Sequence, residues 1–183
     1  MEHTARIRDH YRELWGREEE LIRLDRGPVH ELPSNFAVLL FSPSPRRRMW
    51  TYATMGMSTE EEISGTELHM FAQSRNDSIV ELLNAVAHFH RTGASLNLGD
   101  TVNFGRPWWS GSQSDHALVS LPYLDGPLLE WLPIENRRIR FLWLLPITKE
   151  ELAFKKSAGV EELERQFEKE QVNYLDPKRE SVV

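Results

Sequence analysis

The hydrophobic pattern predicts a buried strand followed at once by a helix in the last third of the chain. Residues 139–145 are apolar at nearly every position, in a run that is too short to span a membrane and rich in strand-favouring residues. Pro146 has no N–H to donate, so we expect the strand to end there. Thr148 and Glu151 have the spacing of a capping box, in which each side chain accepts a hydrogen bond from the backbone N–H of the other residue.

The same periodicities predict the other elements. Apolar residues recur on one side of a helix over residues 4–24, which Gly27 and Pro28 are expected to end. A second helix begins with a capping box of Ser78 and Glu81 and carries Phe89 on its buried face. A last helix covers residues 160–171 and directs Leu163 and Phe167 inward, and residues 124–136 are a connection with a helical turn. The remaining strands are predicted at residues 29–32 (a short edge strand), 36–41, 50–57, 66–73, 101–104 and 116–123.

Several of these strands follow one another without a helix between them, so their sheet must be largely antiparallel or mixed. We therefore predict an α+β fold, in which a mixed, largely antiparallel sheet is flanked by helices. A length of 183 residues corresponds to one domain over residues 1–183. Its predicted ends are the helix at residues 4–24 and a polar C-terminal tail at residues 173–183.

Composition narrows the class of protein. The formal net charge of −6 disfavours binding of nucleic acid or anionic lipid through the overall field. The absence of cysteine excludes disulfides, thiolate zinc sites and cysteine nucleophiles. The N-terminus lacks the apolar segment of a signal peptide, and no later stretch is long enough to span a bilayer. We expect a cytoplasmic protein that has no cofactor and no membrane or nucleic-acid partner.

The usual catalytic and metal-binding motifs are missing. The sequence contains no GxxxxGK(S/T), no GxGxxG after a strand, no GxSxG and no HExxH. His88 and His90 are two residues apart on a predicted helix, where their side chains would point about 200° apart, so we predict no metal site. Asp115 and His116 form an acid–histidine pair that Asp100 could approach. The pair has either an acid–base role or an ordinary one, in which the aspartate makes turn hydrogen bonds beside a half-exposed histidine.

Two adjacent tryptophans make residues 106–111 the most distinctive loop of the chain. Neighbouring residues of an extended backbone face opposite sides, so one of Trp108 and Trp109 would fill the core. The other, together with Arg106, would be an exposed anchor for a partner, because tryptophan and arginine dominate interface hot spots. In the alternative interpretation both rings pack under the loop.

Five segments, taken in order, resemble the suppressor of fused domain family. The resemblance runs from about residue 29 to the C-terminus. Its segments are residues 50–58 (WTYATMGMS), 67–70 (ELHM), 98–102 (LGDTV), 141–154 (FLWLLPITKEELAF) and 176–182 (DPKRESV).

The resemblance implies a mixed sheet flanked by helices and a non-enzymatic, protein-binding role. Animal members of the family sequester Gli transcription factors and clamp a short peptide as an added strand between two domains, whereas this chain has one such domain. For stand-alone bacterial members, the resemblance implies a role as immunity proteins that neutralise partner toxins. The ligand-binding region of the family follows its Gly-Asp turn. The partner-binding residues that this order implies here are Asp100, Arg106, Trp108, Trp109, Asp115 and His116.

We therefore predict a non-catalytic protein-binding module, an immunity protein that covers the surface of a partner. The resemblance implies that the partner is a polymorphic toxin and that the contact is made by strand addition. The acidic charge fits this prediction, since toxins that attack nucleic acid tend to be basic. Two alternatives stay open from the sequence. One is an enzyme of unrecognised type that uses Asp115 and His116 with Asp100, and the other is a structural scaffold subunit.

Overall fold

The structure, a computed structural model, describes residues 3–27 and 29–183, and this part of the chain forms one eight-stranded sheet with five helices. The strands are β1 (Glu19–Ile22), β2 (Ala37–Phe41), β3 (Trp50–Met55), β4 (Ser64–Ala72), β5 (Thr101–Asn103), β6 (His116–Ser120), β7 (Trp131–Ile134) and β8 (Arg137–Ile147). The helices are α1 (His3–Trp15), α2 (Ser78–Thr92), α3 (Pro127–Glu130), α4 (Lys149–Ala158) and α5 (Val160–Lys169).

The sheet is mixed and mostly antiparallel, as the sequence predicted. Its strand order is β1-β2-β3-β4-β8-β6-β5, and β7 pairs with the first part of β8 beside β6. β4 and β8 run parallel, with Leu68 opposite Leu142, and the other pairs run antiparallel. The order leaves β1 at one end of the sheet and β5 at the other.

The prediction of a strand buried on both faces is confirmed for β8. Leu142 and Leu144 pack under α2 on one face, whereas Phe141 and Trp143 face the other side of the sheet. The capping box after β8 is also present, with N–H to side-chain oxygen distances of 2.9 Å and 3.2 Å between Thr148 and Glu151. The predicted strand end at Pro146 was one residue too early. Pro146 lies opposite Ala117 in the ladder, and Ile147 completes the strand.

Helices cover both faces of the sheet. On one face, α2 packs on the apolar side chains of the central strands, with Leu83 fully buried. On the opposite face, α1 covers one end through Ile7 and Tyr11, and α5 covers the other end through Leu163 and Phe167. α2 and α5 therefore lie on opposite faces of the sheet.

The N-terminal region differs from the prediction in two places. The helix ends at Trp15 because Gly16 adopts a φ of +101°, and Glu19–Ile22 then pairs with β2 as β1 instead of continuing the helix. Residues 29–32 form a turn, in which the N–H of Leu32 donates to the carbonyl of Val29, and not an edge strand. Pro28, expected to end the helix, lies outside the described residues.

The structure also differs from the prediction in α2 and in the connection before β8. Ser78 and Glu81 do not form a capping box, because the side chain of Asn76 accepts from the N–H and the hydroxyl of Ser78. Phe89, expected on the buried face, is 41% exposed. The expected helical turn is α3, but the connection also contains β7, which the sequence analysis missed.

The C-terminal segment, predicted as a polar tail, is packed against the fold. The ring of Tyr174 makes an edge contact with Trp143 at a centroid distance of 5.1 Å, and Leu175 and Val182 pack against the same cluster. Arg179 donates two hydrogen bonds to the buried carboxylate of Glu151, at 2.6 Å and 2.7 Å. These contacts fix the segment beside α4 and α5.

Candidate partner-binding edge

Within residues 3–27 and 29–183, the strand β5 pairs with β6 alone, and we call its free side the open edge. Toward β6, the N–H of Phe104 donates to the carbonyl of Asp115, and the N–H of Val119 donates to the carbonyl of Asp100, both at 2.9 Å. Successive residues of an antiparallel strand direct their backbone groups to opposite sides. The backbone N–H and carbonyl groups of Thr101 and Asn103 therefore point away from the sheet.

A tight turn sets the start of the open edge. Gly99 adopts a φ of +84°, a conformation that side chains with a Cβ rarely adopt. Asp100 accepts a hydrogen bond from the N–H of Asn97 at 2.7 Å, which closes the turn before β5. Asp100, one of the predicted partner-binding residues, therefore positions the backbone of β5 in this structure.

A shallow groove of about 220 Å³ runs between α2 and the open edge. Phe89 of α2 and Phe104, which follows β5, both line it. Because Phe89 is 41% exposed, the groove offers accessible apolar surface directly beside unpaired backbone groups. This combination of hydrogen-bonding groups and side-chain pockets is what an added strand uses.

Arg106 lies at the same end of the sheet. Its guanidinium donates to Glu81 of α2 at 2.7 Å, and both side chains are at least half exposed. Exposed ion pairs contribute about 0–1 kcal/mol, so either group can exchange its partner at little cost.

The two tryptophans occupy different environments. Trp108 is 3% exposed and belongs to the cluster under α2, whereas Trp109 is half-buried and packs against the same cluster. Their rings meet edge to face at a centroid distance of 5.6 Å. The backbone explains the difference, because Trp108 donates to Ser114 and Trp109 accepts from Ser112 within a closed loop. Both rings thus pack under the loop, and Trp109 keeps an accessible side.

Asp115 and His116 form a hydrogen-bonded pair at 2.6 Å between Oδ1 and Nδ1, and Lys149 contacts the other Asp115 oxygen at 3.2 Å. Burial acts to raise the pKa of Asp115, but the hydrogen bonds from His116 and Lys149 outweigh it and hold that pKa below its ordinary value. Both oxygens of the carboxylate are therefore already paired.

The expected approach of Asp100 to this pair does not occur. Asp100 bonds to the backbone of Val119, whereas His116 is opposite Asn103 at the other end of β5. Three residues along a strand separate them by about 10 Å. The structure thus separates the acid–histidine pair from the third residue that the enzyme hypothesis invoked.

The family model of the suppressor of fused protein (SUFU) matches residues 33–180. This chain belongs to the SUFU family. A crystal structure of a SUFU homologue from Neisseria gonorrhoeae FA 1090 is 32% identical and superposes with a TM-score of 0.84, covering 99% of this chain and 97% of that one.

Three further proteins are similar to this chain, one in sequence and two in structure. Immunity protein YqcF from Bacillus subtilis (strain 168) is 27% identical over 160 residues, which are 82% of this chain and 83% of YqcF. A chain in the crystal structure of the Sufu–Fu complex superposes with a TM-score of 0.75 at 14% identity, covering 98% of this chain and 92% of that one. Drosophila Suppressor of Fused gives a TM-score of 0.71 at 15% identity, covering 96% of this chain and 50% of that one.

Two of the SUFU-like segments meet around a buried carboxylate. Glu67 is fully buried and accepts hydrogen bonds from the hydroxyl of Thr54 and the backbone of Gly56 and Ser58, at 2.5 Å, 3.1 Å and 3.0 Å. Burial raises the pKa of Glu67, against hydrogen bonds that act to lower it. The segment 50–58 thus wraps around Glu67, and these residues maintain the fold.

The last two SUFU-like segments are joined in the same way. Arg179 of the C-terminal segment bonds to Glu151 after β8 and to the carbonyl of Pro146 at 3.0 Å. Both segments are recognisable in the sequence, but their contact is not predictable from it, because an acidic and a basic residue 28 positions apart carry no local signal.

Within residues 3–27 and 29–183, no three histidine, aspartate or glutamate side chains are grouped as metal ligands. No helix in this part of the chain is long and apolar enough to cross a membrane.

Proposed function

We propose that this chain is a single-domain, non-catalytic protein-binding module, an immunity protein that acts in the cytoplasm and covers the surface of a toxin-like partner. The observation that carries the proposal is the likeness to a protein named an immunity protein, which extends over more than four-fifths of both chains. Membership of the SUFU family supports it, and so does the likeness to a chain in the Sufu–Fu complex.

The open edge supplies a mechanism for this binding. A partner segment would add as a strand along β5 and bond to the outward backbone groups of Thr101 and Asn103. Its alternate side chains would enter the groove beside Phe89 and Phe104. Main-chain bonds would supply affinity, and the groove would supply selectivity.

The residues predicted to bind the partner take different parts in this proposal. Arg106 and Trp109 would contact the partner through their exposed groups. Asp100 and Trp108 would hold the turn and the loop in place. Asp115 with His116 would border the far end of β5.

The geometry gives less support to the enzyme alternative. Asp100 is separated from Asp115 and His116, and Asp115 is already paired with His116 and Lys149. An acid–base site needs a substrate-binding cleft beside its proton donor. The groove beside Phe89 is lined by other residues.

The test is capture of the partner with affinity-tagged protein from its own cells, followed by mass spectrometry. We expect stoichiometric recovery of one toxin-like protein, and we expect Phe89→Glu to lose it because a carboxylate would occupy the apolar groove. Leu128→Glu is the matched control, since Leu128 is a 74% exposed apolar residue on α3, away from the open edge.

Two outcomes would contradict the proposal. If no protein is retained even after gentle cross-linking, the immunity role is wrong. If Phe89→Glu and Leu128→Glu retain the partner equally well, binding does not use the groove.

A further inference from the structure

A second and larger cleft lies on the opposite face of the sheet from α2. It has a volume of about 750 Å³ and is bounded by α5, the end of β6, the second half of β8 and the packed C-terminal segment. Sites for organic ligands have volumes of about 300–1,000 Å³, so this cleft can enclose a large side chain or a short peptide segment. None of the residues predicted from the sequence to bind a partner lines it.

Aromatic rings form the inner wall of the cleft. Trp143 of β8 and Tyr174 of the C-terminal segment stand at 88° to each other with their centroids 5.1 Å apart, and Val172 lies beside them. The faces of tryptophan and tyrosine attract cations, with tryptophan the strongest.

The outer wall is acidic. Glu161, Glu164 and Glu168 of α5 all line the cleft, because positions i, i+3 and i+7 lie on one face of a helix. Glu164 accepts hydrogen bonds from the hydroxyls of Ser120 and Tyr123, at 2.7 Å and 3.0 Å.

These bonds leave the charge of the cleft uncompensated, because both hydroxyl donors are neutral. Burial and the bond to Glu164 raise the pKa of Tyr123 to about 12, so the phenol stays protonated. The basic residue at the cleft, Arg165, is paired with Glu162 outside it. Among the residues that the structure describes, Glu161, Glu164 and Glu168 form no ion pair.

Helix stability does not account for this arrangement. Glu161 lies in the first turn of α5, where a negative charge is favourable. Glu168, however, is the second-to-last residue of the helix, where a negative charge is unfavourable. It also lies four residues from Glu164, a spacing at which two negative charges repel each other. The isolated protein thus carries an electrostatic cost that a bound cation would remove.

We propose that the cleft receives an arginine side chain from a basic segment of the protein partner. This inference rests on the proposed function, since it takes the partner to be a protein. A guanidinium can bridge two carboxylates and stack on an aromatic face at the same time, which matches Glu164, Glu168 and Trp143.

The position of the cleft agrees with a single partner that uses both sites. Ser120 ends β6, the strand that pairs with β5, and Trp143 lies opposite it on β8. At about 5 Å per strand, Trp143 on β8 lies about 10 Å from β5 across the sheet. A partner strand added to β5 could therefore place an adjoining arginine in the cleft.

The test uses the purified protein and two blocked tripeptides, acetyl-Gly-Arg-Gly-amide and its citrulline counterpart, which has nearly the same shape but no charge. The signal of the Trp143 indole N–H in proton–nitrogen NMR spectra reports on the cleft. We expect a saturable shift with the arginine peptide, with a dissociation constant in the millimolar range that weakens as salt is added. The citrulline peptide should cause no saturable shift.

Variants connect the response to the carboxylates. Glu168→Gln should weaken binding of the arginine peptide about fivefold, the upper end of what one exposed ion pair contributes. Glu61→Gln, which removes the same charge from an exposed position between β3 and β4, should leave the affinity unchanged.

Three results would overturn the proposal. They are equal binding of the arginine and citrulline peptides, no saturable shift with either, and tighter binding of spermidine than of the arginine peptide, which would make the cleft a site for free amines. The titration needs no partner, so its failure is distinguishable from a failure to capture one.

Discussion

Replacing Arg179 with methionine should lower the free energy of unfolding by about 3–5 kcal/mol, the usual cost of leaving one member of a buried ion pair alone. Arg179 donates to both oxygens of Glu151, at 2.6 Å and 2.7 Å, and to the carbonyl of Pro146 at 3.0 Å. The side chain of Glu151 is 0% exposed and that of Arg179 is 8% exposed. Methionine keeps the apolar stem but leaves the Glu151 carboxylate without its cation.

Denaturant unfolding of four proteins measures this interaction: wild type, Arg179→Met, Glu151→Gln and the double variant. Glu151 also accepts from the N–H groups of Thr148 and Val182, so glutamine should keep part of the local structure. The double variant should be less destabilised than the sum of the two single variants, because it contains no unpaired charge. A loss below about 1 kcal/mol for Arg179→Met, with additive effects, would refute the structural role of this pair.

The remaining predictions concern the core. Burial lowers the pKa of His69 from 6.5 to about 3, so between these pH values the unfolded chain binds more protons than the folded one. The contribution of neutral His69 to the free energy of unfolding should therefore be complete above pH 6.5 and fall by up to about 5 kcal/mol toward pH 3. His69→Leu should flatten this decline in urea unfolding measured across pH. Trp108→Ala should cost about 3–5 kcal/mol in the same assay because it empties a core position, whereas Trp109→Ala should cost less than half as much. Gly65→Ala should destabilise by about 1–3 kcal/mol in thermal unfolding, because the new Cβ would lie 2.4 Å from the Cβ of Ser58.

The parts of the fold that sequence predicted well are those with a local cause. The joint between β8 and α4 rests on a continuous apolar run and a capping box, and both signals lie within residues 139–151. The mixed sheet followed from strands that succeed one another without helices. Such features need no knowledge of distant contacts.

The missed features depend on contacts between distant residues. Ile22 continued the helical spacing of α1, yet Gly16 interrupts the helix and Glu19 accepts from Arg8 and Arg12, so the segment turns back and pairs with β2. Docking of the C-terminal segment likewise requires Glu151, which no local pattern links to Arg179.

In the candidate site, too, the features that the sequence did not predict depend on contacts between distant residues. The sequence located the loop after Asp100, but the separation of Asp100 from His116 follows from the register of β5 with β6. The burial of Trp108 rather than Trp109 follows from how the loop closes. The cleft beside α5 was not foreseen, because its walls come from three separate parts of the chain.

The most direct test of the central claim removes one outward hydrogen-bond donor from the open edge. Asn103→Pro deletes the N–H that faces away from β6, whereas Asn103→Ala keeps it, and both variants lose the same side-chain bond to Gly105. Each variant would be titrated calorimetrically with the captured partner, after circular dichroism has verified its fold. Strand addition predicts near wild-type affinity for Asn103→Ala and a loss of about tenfold for Asn103→Pro, since each 1.4 kcal/mol changes the dissociation constant about tenfold. Equal affinity of the two variants would contradict binding at the open edge.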